Sequence, residues 1–88
     1  GLVYGETWTR EQLSARDRSL ATIAVTLSNY QTDQLRVHLT RGLDNGLTTQ
    51  EISELIAQVT LYAGFPYGVN ASRTFAEVLQ ERGMPLPD

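Results

Sequence analysis

Apolar residues recur at helical spacing through most of the 88-residue chain, and no segment shows the strict alternation that is typical of a strand. Four helices are predicted: one after Ser14, one over about 34–44, one from Thr48 to Gly64 and one from Pro66 to Gly83. Residues 1–13 lack sustained periodicity and are predicted to form a loop or a short helical turn. Because short turns join the helices, the sequence predicts an all-α protein with an antiparallel helical bundle.

Local signals mark where the helices begin and end. Thr48 and Glu51 have the spacing of a capping box, in which each residue satisfies a backbone N–H of the other. The Asn-Gly pair at 45–46 is a helix stop, since both residues tolerate the left-handed conformation. Thr32 or Asp33 is expected to cap the second helix with its side-chain oxygen.

The first and third helices are apolar on more than one side. The first is uncharged from residue 19 to residue 31, and Leu61 and Tyr62 widen the apolar stripe of the third. A helix of this kind is buried on more than one side. A chain of this size obtains only marginal stability from its own core. We therefore expect the protein to associate with copies of itself.

The other two helices have one apolar stripe each. The inward positions of the second helix are predicted to be Leu35, His38, Leu39, Gly42 and Leu43, and the apolar positions of the fourth Val69, Phe75, Ala76, Val78 and Leu79.

Composition excludes several classes of function. All seven basic residues are arginines, they are scattered, and the net charge is -3, which argues against a nucleic-acid surface. Without lysine, neither a Schiff base nor a Walker phosphate site can form. Without cysteine, thiol redox chemistry is impossible. No apolar run approaches the roughly 18–20 residues that span a bilayer, and no signal peptide is visible. We expect a cytoplasmic protein with no membrane partner.

His38 is the first candidate for proton chemistry, because it is the chain's single histidine and has an unperturbed pKa close to neutrality. The alternative is a hydrogen-bonded histidine of the core. Glu6 is a candidate acid or base if it is buried beside Trp8. The alternative for Glu6 is an ion pair with Arg10 at i+4.

Three segments resemble the carboxymuconolactone decarboxylases. Residues 5–10, Gly-Glu-Thr-Trp-Thr-Arg, resemble the G-E-x-W-x-R motif of that family. Residues 38–52 resemble its H-x-x-x-A-L-x-N-G-x-T-x-x-E-I core, although Gly42 stands where alanine is common. Residues 62–71 resemble its Y-x-G-x-P segment followed by Asn-Ala, with Tyr-Gly-Val at 67–69 where small alanines are usual.

The resemblance implies an all-α bundle related to the alkylhydroperoxidase D group and assembled as a homo-oligomer, a trimer or a hexamer. It implies a single domain over residues 1–88. Family members usually carry a further N-terminal helical segment, whereas this chain begins almost at the first motif. The chain is therefore expected to be a shortened form, a processed fragment or a compact variant. The peroxidases of this superfamily use C-x-x-C followed three residues later by histidine. Those thiol positions are Gln31 and Gln34 here, which excludes thiol peroxidase activity.

The resemblance further implies cofactor-free, metal-free decarboxylation of a small carboxylated lactone such as 4-carboxymuconolactone, in aromatic catabolism. His38 would deliver the proton to the dienolate as imidazolium, or relay it as neutral imidazole.

Four further side chains are candidates for substrate binding. Arg18 and Arg10 could bind substrate carboxylates through paired hydrogen bonds, Arg18 from a face that continues towards an interior or a subunit boundary. The alternative for each arginine is a solvated charge or a surface ion pair. Trp8 and Tyr62 are candidates for contact with substrate, with packing as their alternative. Two alternatives to the lactone decarboxylase stay open: a family member that acts on another substrate, and a non-catalytic oligomeric helical module of the same fold.

Overall fold

The computed structural model describes residues 4–87, which contain five helices and no strand. The helices are α1 (Tyr4–Trp8), α2 (Ala15–Ser28), α3 (Thr32–Asp44), α4 (Thr49–Ala63) and α5 (Phe65–Glu81). The predicted all-α class is confirmed. The short helix α1 lies within the segment for which a loop or a helical turn was predicted. No helix of residues 4–87 is long and apolar enough to cross a bilayer.

Helices α2 to α5 pack around one core. Helix α2 packs on α3, α4 packs on α5, and contacts of α3 with α5 and of α2 with α4 close the bundle. The buried apolar side chains come from all four helices and the α3–α4 turn: Ile23, Leu27, Leu35, Leu39, Leu47, Ile52, Ile56, Ala71, Phe75, Val78 and Leu79. Burial of each large aliphatic side chain contributes about 1.5–3 kcal/mol.

Side-chain caps are present at the predicted starts of two helices, α2 and α4. The Ser14 hydroxyl accepts from the Asp17 N–H at 3.0 Å, and both hydrogen bonds of the Thr48–Glu51 capping box are present. The predicted cap of α3 is wrong, because Gln31 precedes the helix and makes no side-chain cap. The Thr32 hydroxyl instead accepts a hydrogen bond from Asn70 Nδ2 at 3.1 Å.

Helices α2 and α3 end with the same pair of backbone hydrogen bonds. After α3, the N–H of Leu47 donates to the Gly42 carbonyl and the N–H of Gly46 donates to the Leu43 carbonyl, with Gly46 at a φ of 107°.

After α2, Tyr30 takes the left-handed position with a φ of 58°. Its ring lies edge-on to Tyr67, 5.6 Å between centroids. A non-glycine residue has a higher free energy than glycine in this conformation. The same residue makes the contact between the two rings.

Three predicted apolar positions are exposed in the single chain. Leu61 and Tyr62 of α4, expected to lie in a buried stripe, are 80% and 84% exposed, and Val69 of α5 is 57% exposed. The buried face of α5 runs through Gly68, Ala71 and further residues at helical spacing. Val69 lies beside that face, and its side chain is therefore exposed. Leu61 and Val69 line a groove between α4 and α5, and Tyr62 lines a groove between α2 and α4. The lining of both grooves is uncharged, and we call the two grooves together the apolar face.

Candidate functional site

A cavity of about 550 Å³ lies between α1, α2 and α3, within the volume range of small-molecule sites. Its lining consists of Gly5 and Trp8 from α1, Thr22 from α2, Gln34, His38 and Arg41 from α3, and Asn45 at the end of α3.

The sequence of α3 explains why four of these residues share one wall. Gln34, His38, Arg41 and Asn45 are spaced by four, three and four residues, which places them on one side of a helix. We call this set the polar stripe. An apolar stripe of Leu35, Leu39 and Gly42 runs beside it and is buried in the core. Burial of the apolar stripe therefore fixes the rotation of α3 and turns the polar stripe towards α1 and α2.

His38 is half-buried against Trp8, and the two rings are nearly parallel, with an angle of 8° and 6.3 Å between centroids. That geometry is within the range of attractive ring pairs. His38 Nδ1 is buried and has no hydrogen-bond partner in the part of the chain that the structure describes. Burial, and secondarily the charge of Arg41, lower the pKa of His38 below its usual value of 6.5. The imidazole of the free protein is therefore mainly neutral at pH 7.

Hydrogen bonds fix two of the polar side chains around His38. Asn45 Nδ2 donates to the hydroxyl of the fully buried Ser19 at 2.9 Å. The Thr22 hydroxyl donates to the Arg18 carbonyl at 2.8 Å. The amide side chain of Gln34 also lines the cavity.

Of the sequence-predicted site residues, His38 and Trp8 lie together in this cavity, whereas Glu6, Arg10 and Arg18 are outside its lining. The Arg18 guanidinium donates to the carbonyls of Leu13 at 3.1 Å and Arg10 at 3.4 Å. Arg18 thereby ties the segment before α2 to that helix.

Glu6 and Arg10 are exposed and form no ion pair with each other in residues 4–87. Helix α1 ends at Trp8, so the helical i+4 spacing that would pair them is not maintained.

Tyr62 is on a different surface. It lines a groove between α2 and α4 with Val25 and Val59. Asn70, also near the Gly-Phe-Pro turn, is buried and donates to Thr32, so its amide joins α5 to the start of α3.

Arg41, Gln34 and Asn45 are the lining residues from the polar stripe that sequence reasoning missed. Their spacing from His38 was the available signal. Arg41 is solvent-exposed and lies one turn after His38 on the polar stripe. Within residues 4–87, no carboxylate pairs with its guanidinium.

The arrangement combines a titratable ring, amide and hydroxyl groups and one cation around a solvent-accessible space. It can bind a small anion and move a proton at His38. In the described ranges, no group of three or more His, Asp or Glu side chains is placed to hold a metal ion.

Comparison with known proteins gives one family and several relatives. A sequence model of the carboxymuconolactone decarboxylase family matches residues 1–77. The chain is 42% identical over 81 residues to a 4-carboxymuconolactone decarboxylase of Acinetobacter baylyi, over 92% of this chain and 60% of that protein. It is 38% identical over 65 residues to an uncharacterized 15.0 kDa protein of Paracoccus denitrificans, over 72% of this chain and 48% of that protein.

A third relative carries a different substrate in its name. The chain is 29% identical over 68 residues to a nitrosuccinic acid decarboxylase of Metarhizium robertsii, over 77% of this chain and 48% of that protein. The chain thus spans between about half and three fifths of the length of these relatives.

Proposed function

The chain belongs to the carboxymuconolactone decarboxylase family, and from that membership we propose that it catalyses cofactor-free decarboxylation of a small carboxylated lactone, 4-carboxymuconolactone or a close analogue, at the His38 cavity. The single observation that carries the proposal is the unpartnered, partly buried imidazole of His38 in a cavity large enough for such a molecule.

The unpartnered Nδ1 atom of His38 also argues against the alternative of a hydrogen-bonded core histidine. Buried side-chain nitrogens of structural residues almost always have a hydrogen-bond partner. His38 Nδ1 has none among the described residues, and its neighbours Gln34 and Arg41 are polar rather than leucines. Both features are typical of a group kept available for a ligand. They favour the enzyme over the non-catalytic helical module.

Two relatives support the class of substrate. Both are decarboxylases by name, one of a carboxymuconolactone and one of nitrosuccinic acid. Each name denotes a small acid that carries an electron-withdrawing group. For this chain we propose a substrate of that class, in which the electron pair released with carbon dioxide is delocalised into the acceptor.

The reaction requires one bond to break and one proton to be delivered. The bond between the lactone carbon and its carboxylate breaks, carbon dioxide leaves, and the electron pair passes into the conjugated lactone carbonyl as a dienolate. A proton is then added to carbon. His38, neutral in the free protein, takes up a proton from solvent when the anionic substrate binds, because nearby negative charge raises the pKa of an imidazole. The resulting imidazolium is the proposed proton donor.

The test is release of carbon dioxide from 4-carboxymuconolactone by the purified protein. His38→Ala is expected to slow the release by about 10²–10⁴-fold, the usual contribution of a positioned acid or base. Val37→Ala, on the neighbouring exposed position of α3, is the matched control and should retain the wild-type rate. Added imidazole should partly restore the His38→Ala variant. Undiminished turnover by His38→Ala would remove His38 from the mechanism, and no release by the wild-type protein would refute the proposed substrate.

We also propose that the protein is a homo-oligomer, a trimer or a hexamer, that works in the cytoplasm. The support is the apolar face, in which Leu61, Phe65 and Val69 of one groove and Tyr62 and Val25 of the other are all more than half exposed in the single chain. Monomeric proteins rarely expose large contiguous apolar patches, and the chain's own core is small. A second copy of the chain is the proposed occupant of this face. The cytoplasmic location stays a prediction, with which the lack of cysteine is compatible.

A further inference from the structure

We propose that Arg41 binds the substrate carboxylate that the reaction retains and thereby orients the other carboxylate for departure beside His38. This inference rests on the proposed function and adds the residue that recognises the substrate. It differs from the sequence prediction, which gave that role to Arg18 and Arg10.

The position of Arg41 on α3 is the first support. It lies three residues after His38 on the polar stripe, and both side chains line the same cavity. Substrate bound to Arg41 would therefore be held one helical turn from the imidazole. Arg18 lines a smaller adjoining cavity, which shares Trp8 and Thr22 with this one but does not include His38.

The second support is that the guanidinium of Arg41 is not already engaged. Arg16, Arg36 and Arg82 are each paired with carboxylates, and Arg18 donates to backbone carbonyls. Within residues 4–87, Arg41 makes no side-chain hydrogen bond and no ion pair, and it is the one charged residue among the cavity's lining. A guanidinium binds a carboxylate through two parallel hydrogen bonds, so Arg41 is suited to the task.

The carboxylate that stays is the one that Arg41 should hold. Carbon dioxide leaves as a neutral molecule, so a cation bound to the departing carboxylate would stabilise the ground state more than the transition state and slow the reaction. The interaction of a cation with the retained carboxylate is equally favourable before and after the bond breaks, because that carboxylate keeps its charge. It contributes binding and orientation without that penalty.

The arrangement of charged groups near His38 makes the pKa of His38 a sensitive measure of the charge at Arg41. Helices α1 and α2 face the cavity with uncharged residues only, Gly5, Trp8 and Thr22. The carboxylates on α5 next to α3, Glu77 and Glu81, are bound by Arg36. Glu6 of α1 is exposed and outside the lining. Arg41 is thus the charge that acts on His38, and neutralising it with a bound carboxylate should raise the pKa of His38.

The chain offers two internal probes for the test, because Trp8 and His38 are the single tryptophan and the single histidine and both line the cavity. Succinate serves as the carboxylate probe and succinamide as its uncharged analogue, at constant ionic strength. Binding is followed by Trp8 fluorescence, and the pKa of His38 by proton NMR. The variants are Arg41→Gln, Arg41→Lys and the control Arg73→Gln, which removes the same charge from α5 outside this cavity. Circular dichroism checks that each variant is folded.

We expect succinate to bind the wild type and Arg73→Gln equally, to bind Arg41→Gln at least tenfold more weakly and to bind Arg41→Lys with intermediate strength. Succinate should raise the pKa of His38 in the wild type but not in Arg41→Gln. Succinamide should not bind. With 4-carboxymuconolactone, Arg41→Gln should raise KM at least tenfold and change kcat much less.

Each failure has its own signature. Equal succinate binding by the wild type and Arg41→Gln, no succinate binding by the wild type, or equal binding of succinamide would overturn the role of Arg41. If lactone is turned over and KM is unchanged in Arg41→Gln, this inference fails while the proposed function stands. If no lactone is turned over but succinate binding depends on Arg41, the proposed function fails and the carboxylate site remains.

Discussion

At the scale of single residues, the environment of His38 determines when it carries a proton. Burial and the Arg41 charge both disfavour the imidazolium, so the pKa of His38 is lowered from 6.5 in the free protein. A bound anion acts in the opposite direction. The free protein and its substrate complex should therefore differ by one proton on His38 near neutral pH.

This difference predicts the pH dependence of catalysis. If the imidazolium of the complex is the acid, kcat/KM should decrease as pH rises above the lowered pKa of the free protein, whereas kcat should stay constant to a higher pH. Arg41→Gln removes a cause of the lowered pKa, so its kcat/KM should begin to fall at a higher pH than that of the wild type. Steady-state rates between pH 5 and 9 measure all three effects. A kcat/KM that rises with pH through this range would instead indicate that neutral imidazole is the form required.

At the scale of helices, the apolar stripes were predictable and the polar stripe was not. Leu35 and Leu39 were identified by spacing, because a helix buries a continuous row of apolar residues. Gln34 and Arg41 have the same periodicity, but polar residues on a helix are ordinarily solvated. Only the placement of α1 over this side of α3, with Trp8 against His38, makes a cavity there. That placement depends on tertiary contacts of a segment without helical periodicity.

The capping box of α4 predicts a local stability effect. Thr48→Ala removes the hydroxyl that accepts from the Glu51 N–H at 3.0 Å, and the expected loss is about 1 kcal/mol of unfolding free energy. Thr49→Ala, one residue further on, removes a hydroxyl that caps nothing and should change the unfolding free energy by less than about 0.5 kcal/mol. Urea denaturation of both variants measures the difference. Equal losses would show that the cap contributes nothing.

The crossing of α4 and α5 predicts that two helical glycines respond differently to alanine. A Cβ on Gly68 would overlap the Thr60 hydroxyl and lie 2.8 Å from Thr60 Cγ2, so Gly68→Ala should cost about 1–3 kcal/mol. A Cβ on Gly42 would lie close to the methyl ends of Ile23 and Leu47, at 2.9 and 3.0 Å, and at an ordinary contact distance of 3.7 Å from Ser19 Cβ. Those ends can move, and alanine gains up to about 1 kcal/mol of helix propensity. Gly42→Ala should therefore cost less.

Thr60→Ala provides the internal control for this comparison. It removes the atoms that the new methyl group would meet, so the double variant with Gly68→Ala should recover part of the lost stability, as measured by a double-mutant cycle in urea. Additive losses of unfolding free energy would show that the destabilisation by Gly68→Ala does not come from contact with Thr60.

At the scale of the whole molecule, the exposed apolar face decides between a monomer and an assembly. Leu61 and Phe65 are 80% and 79% exposed, and we expect each to be covered by another copy of the chain. Wild-type protein at micromolar concentration should sediment as a trimer or a hexamer. Leu61→Glu should shift it towards the monomer, because a carboxylate would be buried in an apolar contact. Leu86→Glu, at another exposed leucine, is the control. A folded wild-type monomer would contradict the proposed assembly.

The fold class and the family were accessible from the sequence because both depend on spacing along the chain, whether of apolar residues or of motif residues such as His38 and Asn45. The boundary of the candidate site was not accessible in the same way. Arg18 and Arg41 are equivalent in chemistry, and only the rotation of α2 and α3 about their axes decides which guanidinium faces the histidine.

The most direct measurement is a crystal structure of the protein grown with the lactone that remains after 4-carboxymuconolactone loses carbon dioxide. We expect the lactone in the cavity between α1, α2 and α3, with its retained carboxylate on Arg41 and its ring within hydrogen-bond reach, about 2.6–3.2 Å, of the His38 imidazole. A lactone bound only in a groove away from His38, or a cavity that stays empty at saturating lactone, would contradict the assignment of this cavity as the decarboxylation site.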